Sequence, residues 1–332
     1  MYTPSPAEVV FLMRRCLTGT SLVVLSGMFG AWLALTPSVV RPADLNHPVL
    51  AYYYAWWDPD NFSRTLFQPP EPYNSDDGGA MQRHIQQAKS AGIDGFIVAW
   101  YGNGDRTDSN LGKLLDMGQQ QGFSATIHFE TPQFWGVDDV VAQLRAFYEN
   151  RAKHPAMVRY QGKPVIFFWR ASTFDNGTWS FIRSQVDPDH NSVWLADGDD
   201  FNVLGGEAWD GISPYAIAWS GDPATQLPRW ANVARSIAPD KLWNPVVSPG
   251  CNDTAARAPT CIQDRAGGAY YQATWDGALA SSPSWAVVVS TFNEWMESTQ
   301  VEPSVQWGNQ YLQITRQNAD LFKSSASILD VH

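Results

Sequence analysis

The chain has 332 residues and a formal net charge of −11, with 44% hydrophobic and only 17% charged side chains. That balance excludes a disordered chain, and the acidic surplus argues against a nucleic-acid partner, whose phosphates need basic surface. The length allows one large α/β barrel or two ordinary domains, and the 16 Trp, 12 Tyr and 16 Phe suit a heavy core or a sugar-binding cleft.

The first candidate element is a targeting segment. Arg14 and Arg15 precede an uncharged run over 16–40 that includes "SLVVLSGMFGAWLAL". A basic flank before an apolar stretch of near bilayer-spanning length reads as a signal peptide or signal anchor, here 1–45 with its short linker. The remainder, 46–332, is then expected to be exported, either extracellular or membrane-anchored through 16–40. A cytoplasmic core helix is the alternative.

From residue 49 onward, short apolar runs alternate with helix-patterned stretches. "VLAYYYAW" (49–56) precedes "GAMQRHIQQAKSAG" (79–92), whose Met81, Ile85 and Ala88 share a face before Gly92 stops it. "GFIVAW" (95–100) precedes a helix near 108–121, and "FSATIHF" (123–129) precedes "VDDVVAQLRAFYENRAKHP" (137–155). In that stretch Val140, Val141, Leu144 and Phe147 form a stripe ended by Pro155. "PVIFFW" (164–169) precedes a helix near 176–187. "SVWLAD" (192–197) and "GISPYAI" (211–217), the latter interrupted by Pro214, precede a helix near 224–238. "LWNPVVS" (242–248), "WAVVVSTF" (285–292) and a helix near 304–323 complete the chain. Runs without alternation are expected of parallel strands buried on both faces. Eight of them alternating with helices point to an α/β fold, a single-domain (β/α)8 TIM barrel.

The eighth run leads into "FNEWMESTQVEP", which places Glu294 and Glu297 three residues apart. On an extended strand they would point to opposite faces, and only a turn or helical start after Phe292 brings them side by side. On spacing alone, a surface Glu-x-x-Glu on a helix explains the pattern as well. The barrel changes the comparison, because catalytic groups in such folds sit at the C-terminal ends of strands. Glu130 ends the third run, Trp100 the second, Tyr54 and Trp56 the first, and Tyr215 lies towards the end of the sixth. Acids and aromatics therefore converge on one rim, as in glycoside hydrolysis, where one carboxylic acid protonates the leaving oxygen and a second carboxylate acts beside it. His128 is read as alternating with Glu130 across the strand, so that both face the interior only if the strand has ended. His84, in the first helix, is read as surface or packing.

Other chemistries have less support. No G-x-S-x-G elbow is present, and "YGNGDR" lacks the lysine of a phosphate loop. No metal site or cofactor is expected, since the six histidines lack paired ligand spacing. In an exported protein, Cys251 and Cys261, bracketing "CNDTAARAPTC", are expected to form a disulfide.

With these residues in hand, the sequence resembles glycoside hydrolase family 99, the endo-α-1,2-mannosidases and mannanases. The motif "FNEWMESTQVEP" is similar to the family's F-N-E-W-H-E-G-T-Q-I-E-P, supported by "YYYAWW", "HIQQAKSAGIDGFIVAWYG", "IHFE", "WDGISPY" and "PVVSPGCNDT". The resemblance implies a metal-free barrel that cleaves α-mannosidic bonds within a glycan, with retention and through a 1,2-anhydro sugar. It implies Glu294 as the base acting on the 2-hydroxyl and Glu297 as the acid/base. Glu130, Tyr54, Tyr215, Arg265 and Asn293 become substrate contacts, and Trp100 a stacking platform. Met296 and Ser298 replace the family's His and Gly, and the paired cysteines are not a family feature; these departures bear on which sugar is accepted. A glycosidase of the same fold on another α-linked polysaccharide, and a membrane-anchored glycan-binding protein without turnover, are the alternative readings.

Overall fold

The structure, a computed structural model, describes residues 45–134 and 136–329, all within one compact unit spanning Val40–His332. The proposed targeting segment lies outside the described residues, and among the described residues no helix is long and apolar enough to cross a membrane. Eight parallel strands form the centre: β1 (Val49–Tyr53), β2 (Gly95–Trp100), β3 (Ser124–Glu130), β4 (Lys163–Trp169), β5 (Val193–Ala196), β6 (Gly211–Ile212), β7 in two halves (Leu242–Trp243 and Val246–Val247) and β8 (Val287–Val289).

Each strand pairs with the next, and β8 pairs with β1 through Val49↔Val287 to Ala51↔Val289. The closure between β6 and β8 runs through the broken β7. Its first half pairs with β6 and its second half with β8. Pro245 breaks it by lacking an N–H, yet the Pro245 carbonyl accepts from Val288 N–H at 3.0 Å and Asn244 N–H donates to Ile212 O at 3.0 Å. The sheet is thus a closed, mostly parallel cylinder, as a (β/α)8 barrel requires.

Around it lie α1 (Gly78–Ser90), α2 (Arg106–Gln121), α3 (Val137–Asn150), α4 (Asn176–Val186), α5 (Pro223–Ile237), α6 (Ala269–Ala280) and α7 (Gln310–Leu329). Asp77, Asp105, Asp175 and Asp222 cap α1, α2, α4 and α5 by accepting backbone N–H groups of the first turn. After β5 the chain makes a 3-10 turn, Phe201–Gly205, in a connection where the sequence offered no helix. One element does differ from the sequence expectation. Helix α6 forms where no helix was foreseen, because "AYYQATWDGALA" carries only Gln272 and Asp276 as a narrow polar strip and reveals little helical period; Tyr271, Trp275 and Ala278 are fully buried.

Strand parity divides the core into two layers. Val49, Ala51, Tyr53, Phe96, Val98, Trp100, Ile127 and Phe129 pack outward against the helices. Leu50, Tyr52, Ile97, Ala99, Val165, Phe167, Val193 and Leu195 fill the barrel. Side chains two apart share a face, so the inward series reaches Glu130 and Trp169 at the strand ends and Tyr54, Tyr101 and Asp197 just beyond them. This parity decides which residues reach the rim.

Candidate active site

Beyond β8 the chain leaves the sheet and folds on itself. Thr291 N–H donates to Thr299 O (3.0 Å), Thr299 N–H to Glu294 O (3.2 Å) and Val301 N–H to Thr291 O (2.9 Å), while the Thr291 and Thr299 hydroxyls meet at 3.0 Å. Thr291 Oγ1 also accepts the Glu294 N–H at 2.8 Å. Trp295 to Ser298 form a turn, and Ser298 takes a left-handed backbone with φ 56°, the conformation that a glycine would adopt freely. Glu294 and Glu297 thereby both line one cleft of about 280 Å³ at the C-terminal mouth of the barrel.

A buried network fixes this loop from below. Glu302 accepts from Tyr73 OH (2.8 Å) and Trp295 Nε1 (2.9 Å), and its other oxygen lies 3.1 Å from His84 Nε2. Tyr53 OH meets His84 Nδ1 at 2.9 Å. His84 is therefore buried in a hydrogen-bonded network and is not a surface residue. Asn293 is likewise fully buried: its side chain accepts from Tyr54 N–H at 2.7 Å and donates to Tyr54 O at 2.9 Å. It ties the loop to the end of β1 and leaves no amide group free for a sugar.

The walls of the cleft come from five other connections. Tyr54 and Trp56 follow β1, Tyr101 follows β2, Glu130 ends β3, Trp169 ends β4 and Tyr215 follows β6. Trp56 and Tyr101 stack face to face, their centroids 5.2 Å apart and their planes 3° from parallel. The hydroxyls of Tyr54 and Tyr215 share a hydrogen bond of 2.6 Å, and Tyr215 OH reaches Glu297 Oε2 at 3.5 Å. Met296, in the place of the family histidine, also faces the cleft.

Two sequence expectations are corrected here. Trp100 faces the helices, packed by Phe129, Phe134 and Phe147 and donating to Asp108 Oδ1 at 3.1 Å, so it offers no platform to the cleft. Its neighbour Tyr101, of opposite parity, takes that place. Arg265 also lies elsewhere. Its guanidinium donates to Ser298 O (2.8 Å) and Gln300 O (2.9 Å) and lies 4.1 Å over the ring of Trp307, lining a separate cavity. The arginine in the cleft is Arg257, which the sequence reading passed over. Cys251 and Cys261 are bonded, with Cα atoms 5.9 Å apart, and close the loop that carries it. Arg257 Nε sits 2.9 Å from the buried Asp253, and its Nη2 donates to Glu297 Oε1. Asn252 N–H donates to Glu297 O at 2.8 Å, tying that loop to the acidic one.

His128 needs a third correction. Residues i and i+2 of a strand share a face, so His128 and Glu130 both point inward, their Nδ1 and Oε1 3.5 Å apart. Among the described residues no group of three His, Cys, Asp or Glu side chains could hold a metal ion.

The electrostatics separate the acids. Burial, reinforced by the charge of Glu297 and partly offset by backbone N–H groups and Arg257, pushes Glu294 up to about 8. Burial also raises Glu130, against the pull of His128. Glu297 is the less enclosed of the pair, with 23% of its side chain exposed and a guanidinium against it. The cleft thus presents one protonated and one ion-paired carboxyl group at neutral pH, between aromatic faces that fit the C–H faces of a sugar.

Comparison with known proteins agrees with this geometry. The model of a family described as glycosyl hydrolase family 99 matches residues 52–326. The chain is 24% identical to mouse glycoprotein endo-alpha-1,2-mannosidase over 298 residues, covering 78% of this chain and 63% of that protein. To the human glycoprotein endo-alpha-1,2-mannosidase-like protein it is 23% identical, covering 81% of this chain and 71% of that one. The chain therefore spans somewhat under two thirds of the mouse protein. Among solved structures, the GH99 endo-alpha-mannosidase of Bacteroides thetaiotaomicron in complex with BIS-TRIS-propane superposes with a TM-score of 0.76 at 22% identity, covering 86% of this chain and 99% of that one. That likeness establishes the fold.

Proposed function

The chain belongs to glycosyl hydrolase family 99, and from that premise we propose that it is a retaining, endo-acting glycoside hydrolase that cleaves α-mannosidic linkages. The observation that carries this reading is the pair of carboxyl groups on one self-closed loop, in a cleft walled by Trp56, Tyr101, Trp169 and the Tyr54–Tyr215 pair. In the proposed path Glu294 takes the proton of the sugar 2-hydroxyl while that oxygen attacks C1. Glu297 protonates the departing glycosidic oxygen, and the product is a 1,2-anhydro sugar. Glu297 then takes a proton from water, the hydroxide attacks C1 as the bond from C1 to the epoxide oxygen breaks, and that oxygen, the former 2-hydroxyl, recovers its proton from Glu294. Two displacements at C1 give retention.

The resting charge pattern sets a condition on this path. Glu294 holds a proton at neutral pH and Glu297 is engaged by Arg257, the reverse of the starting arrangement for base and acid. Arrival of the sugar must therefore loosen the Arg257 contact and pass the proton from Glu294 to Glu297, which their common cleft permits.

A second reading within the same chemistry, a different α-linked glycan, is favoured by Met296, which places an apolar thioether in the cleft where the family motif has an imidazole. Export, with the barrel outside the cytoplasm and 16–40 as signal or membrane anchor, belongs to the same proposal. The test is incubation of the purified protein with yeast α-mannan and with other α-mannans and α-glucans, the products being resolved by chromatography. Internal cleavage of α-mannan, lost in Glu297→Gln and in Glu294→Gln, is expected. Release of reducing sugar by Glu297→Gln at the parent rate would reject the assignment of the acid. A glycan that binds without any product on long incubation would favour the non-catalytic alternative.

A further inference from the structure

The cleft rests on a buried charged group that the proposed reaction does not use. His128, on β3, is 1% exposed and is flanked on both sides by acids: Nδ1 lies 3.5 Å from Glu130 Oε1 and Nε2 lies 3.6 Å from Asp197 Oδ2. Both contacts are at ion-pair distance, and neither nitrogen has a hydrogen-bond partner of its own. We propose that His128 is a positioning residue that acts through Glu130, its ring clamped between Asp197 and Glu130 so that the Glu130 carboxylate is held, charged and oriented, to accept a sugar hydroxyl. The proposal rests on the reading of the cleft as a glycan site.

A carboxyl group facing each ring nitrogen at ion-pair distance favours a proton on both. A neutral imidazole has one N–H and one lone pair, so one of the two acids would face a lone pair. Only the imidazolium offers a donor to each. The ring cannot turn away, because Tyr52 lies 4.7 Å from it and Tyr215 stacks on it at 5.9 Å with planes 15° apart. On β4, its register partner Phe167 contributes no charge. The outer acid is itself held, since Asp197 Oδ1 accepts the Tyr215 N–H at 2.5 Å. Asp197 therefore fixes the imidazole on one side and, through Tyr215, the hydroxyl that reaches Glu297 on the other. Burial alone would drive the proton off His128, but Asp197 and Glu130 together outweigh it and raise the imidazole to about 9. Around Glu130, burial opposes its charge most, Asp197 and Glu297 add to that, and His128 is the cation that pulls the other way.

The experiment pairs a binding readout with a spectroscopic one. In the full chain, Asp197→Asn keeps the shape of the outer acid and removes its charge, while His128→Gln keeps a donor for only one acid. With yeast α-mannan as substrate, both variants are expected to raise KM by about tenfold or more, the weight of one charge-assisted hydrogen bond, while kcat stays within about threefold. The parent affinity should fall as pH passes about 9, and in Asp197→Asn that fall should begin at lower pH. Nitrogen-15 spectra of the imidazole give the second arm: His128 should be doubly protonated at pH 7.5 in the parent and should lose its proton at lower pH in Asp197→Asn and in Glu130→Gln. This arm stands even if the parent cleaves no mannan, which would count against the proposed function and leave the clamp intact. A single neutral tautomer of His128 at pH 7.5, or an unchanged KM in folded His128→Gln, overturns the inference.

Discussion

Glu294 is held at a cost to the fold, and replacing it with glutamine exposes that cost. Burial and the neighbouring Glu297 raise it from 4.5 to about 8, so the folded protein binds this proton more tightly than the unfolded chain does. The stability linked to the proton is complete below pH 4.5 and is lost as pH climbs towards 8. Integrated between pH 5 and 9, the gap corresponds to about 4 kcal/mol, at ~1.4 kcal/mol per unit. Glutamine has nearly the same shape, can still accept the Met296 N–H that Glu294 Oε1 receives at 2.9 Å, and never ionises. Glu294→Gln is therefore expected to melt close to the parent at pH 5 and well above it at pH 9. With an unfolding entropy of roughly 0.6 kcal/mol/K for about 290 residues, the difference in Tm should widen by ~6 °C. Scanning calorimetry of the two proteins across pH 5 to 9 measures it, and titrations remote from the Glu294–Glu297 pair cancel in the difference. A Tm gap that stays constant over this range would refute the strained, buried state of Glu294, and so would a variant that loses ground as pH rises.

Two further outcomes follow from the same loops. Ser298 sits at φ 56° with its hydroxyl buried and unpaired, so Ser298→Gly relieves backbone strain without losing a hydrogen bond; a gain of about 1 kcal/mol is expected, read as a Tm rise of ~1–2 °C. The disulfide joins residues ten apart in sequence, and the loop-closure model gives such a bridge about 3 kcal/mol. Cys251→Ser with Cys261→Ser should lower Tm by ~5 °C, and reductant should lower the parent to the same point while leaving the variant unchanged.

The barrel was legible because parallel strands buried on both faces leave unbroken apolar runs, and all eight runs contain a strand of the cylinder. What escaped was of two kinds. Helix α6 is apolar but for Gln272 and Asp276 and displays little period, so little in "AYYQATWDGALA" separates it from a buried strand or a loop. The rim residues were placed by nearness to a strand end, when parity was the deciding variable. Counting inward positions from Ile97 and Ala99 leads to Tyr101, not Trp100, and from Thr126 leads through His128 to Glu130. Arg257 gave no signal of either kind. It stands in a loop, and its approach to Glu297 depends on a covalent bridge and a buried aspartate rather than on any periodic pattern. Arg265, nearby in sequence, went instead to the aromatic faces of Trp307 and Tyr311.

The segment from Thr291 to Thr299 is clasped at its own base by backbone bonds and a threonine pair. The spacing of the two carboxylates is consequently set largely within one short peptide, which the buried network around Glu302 and Asn293 then seats on the barrel. The cleft walls are supplied by separate crossovers, each replaceable alone. Most of the lining can therefore change crossover by crossover without touching the two carboxyl groups, and Met296 is the wall residue that cannot, because it travels on the same peptide as they do.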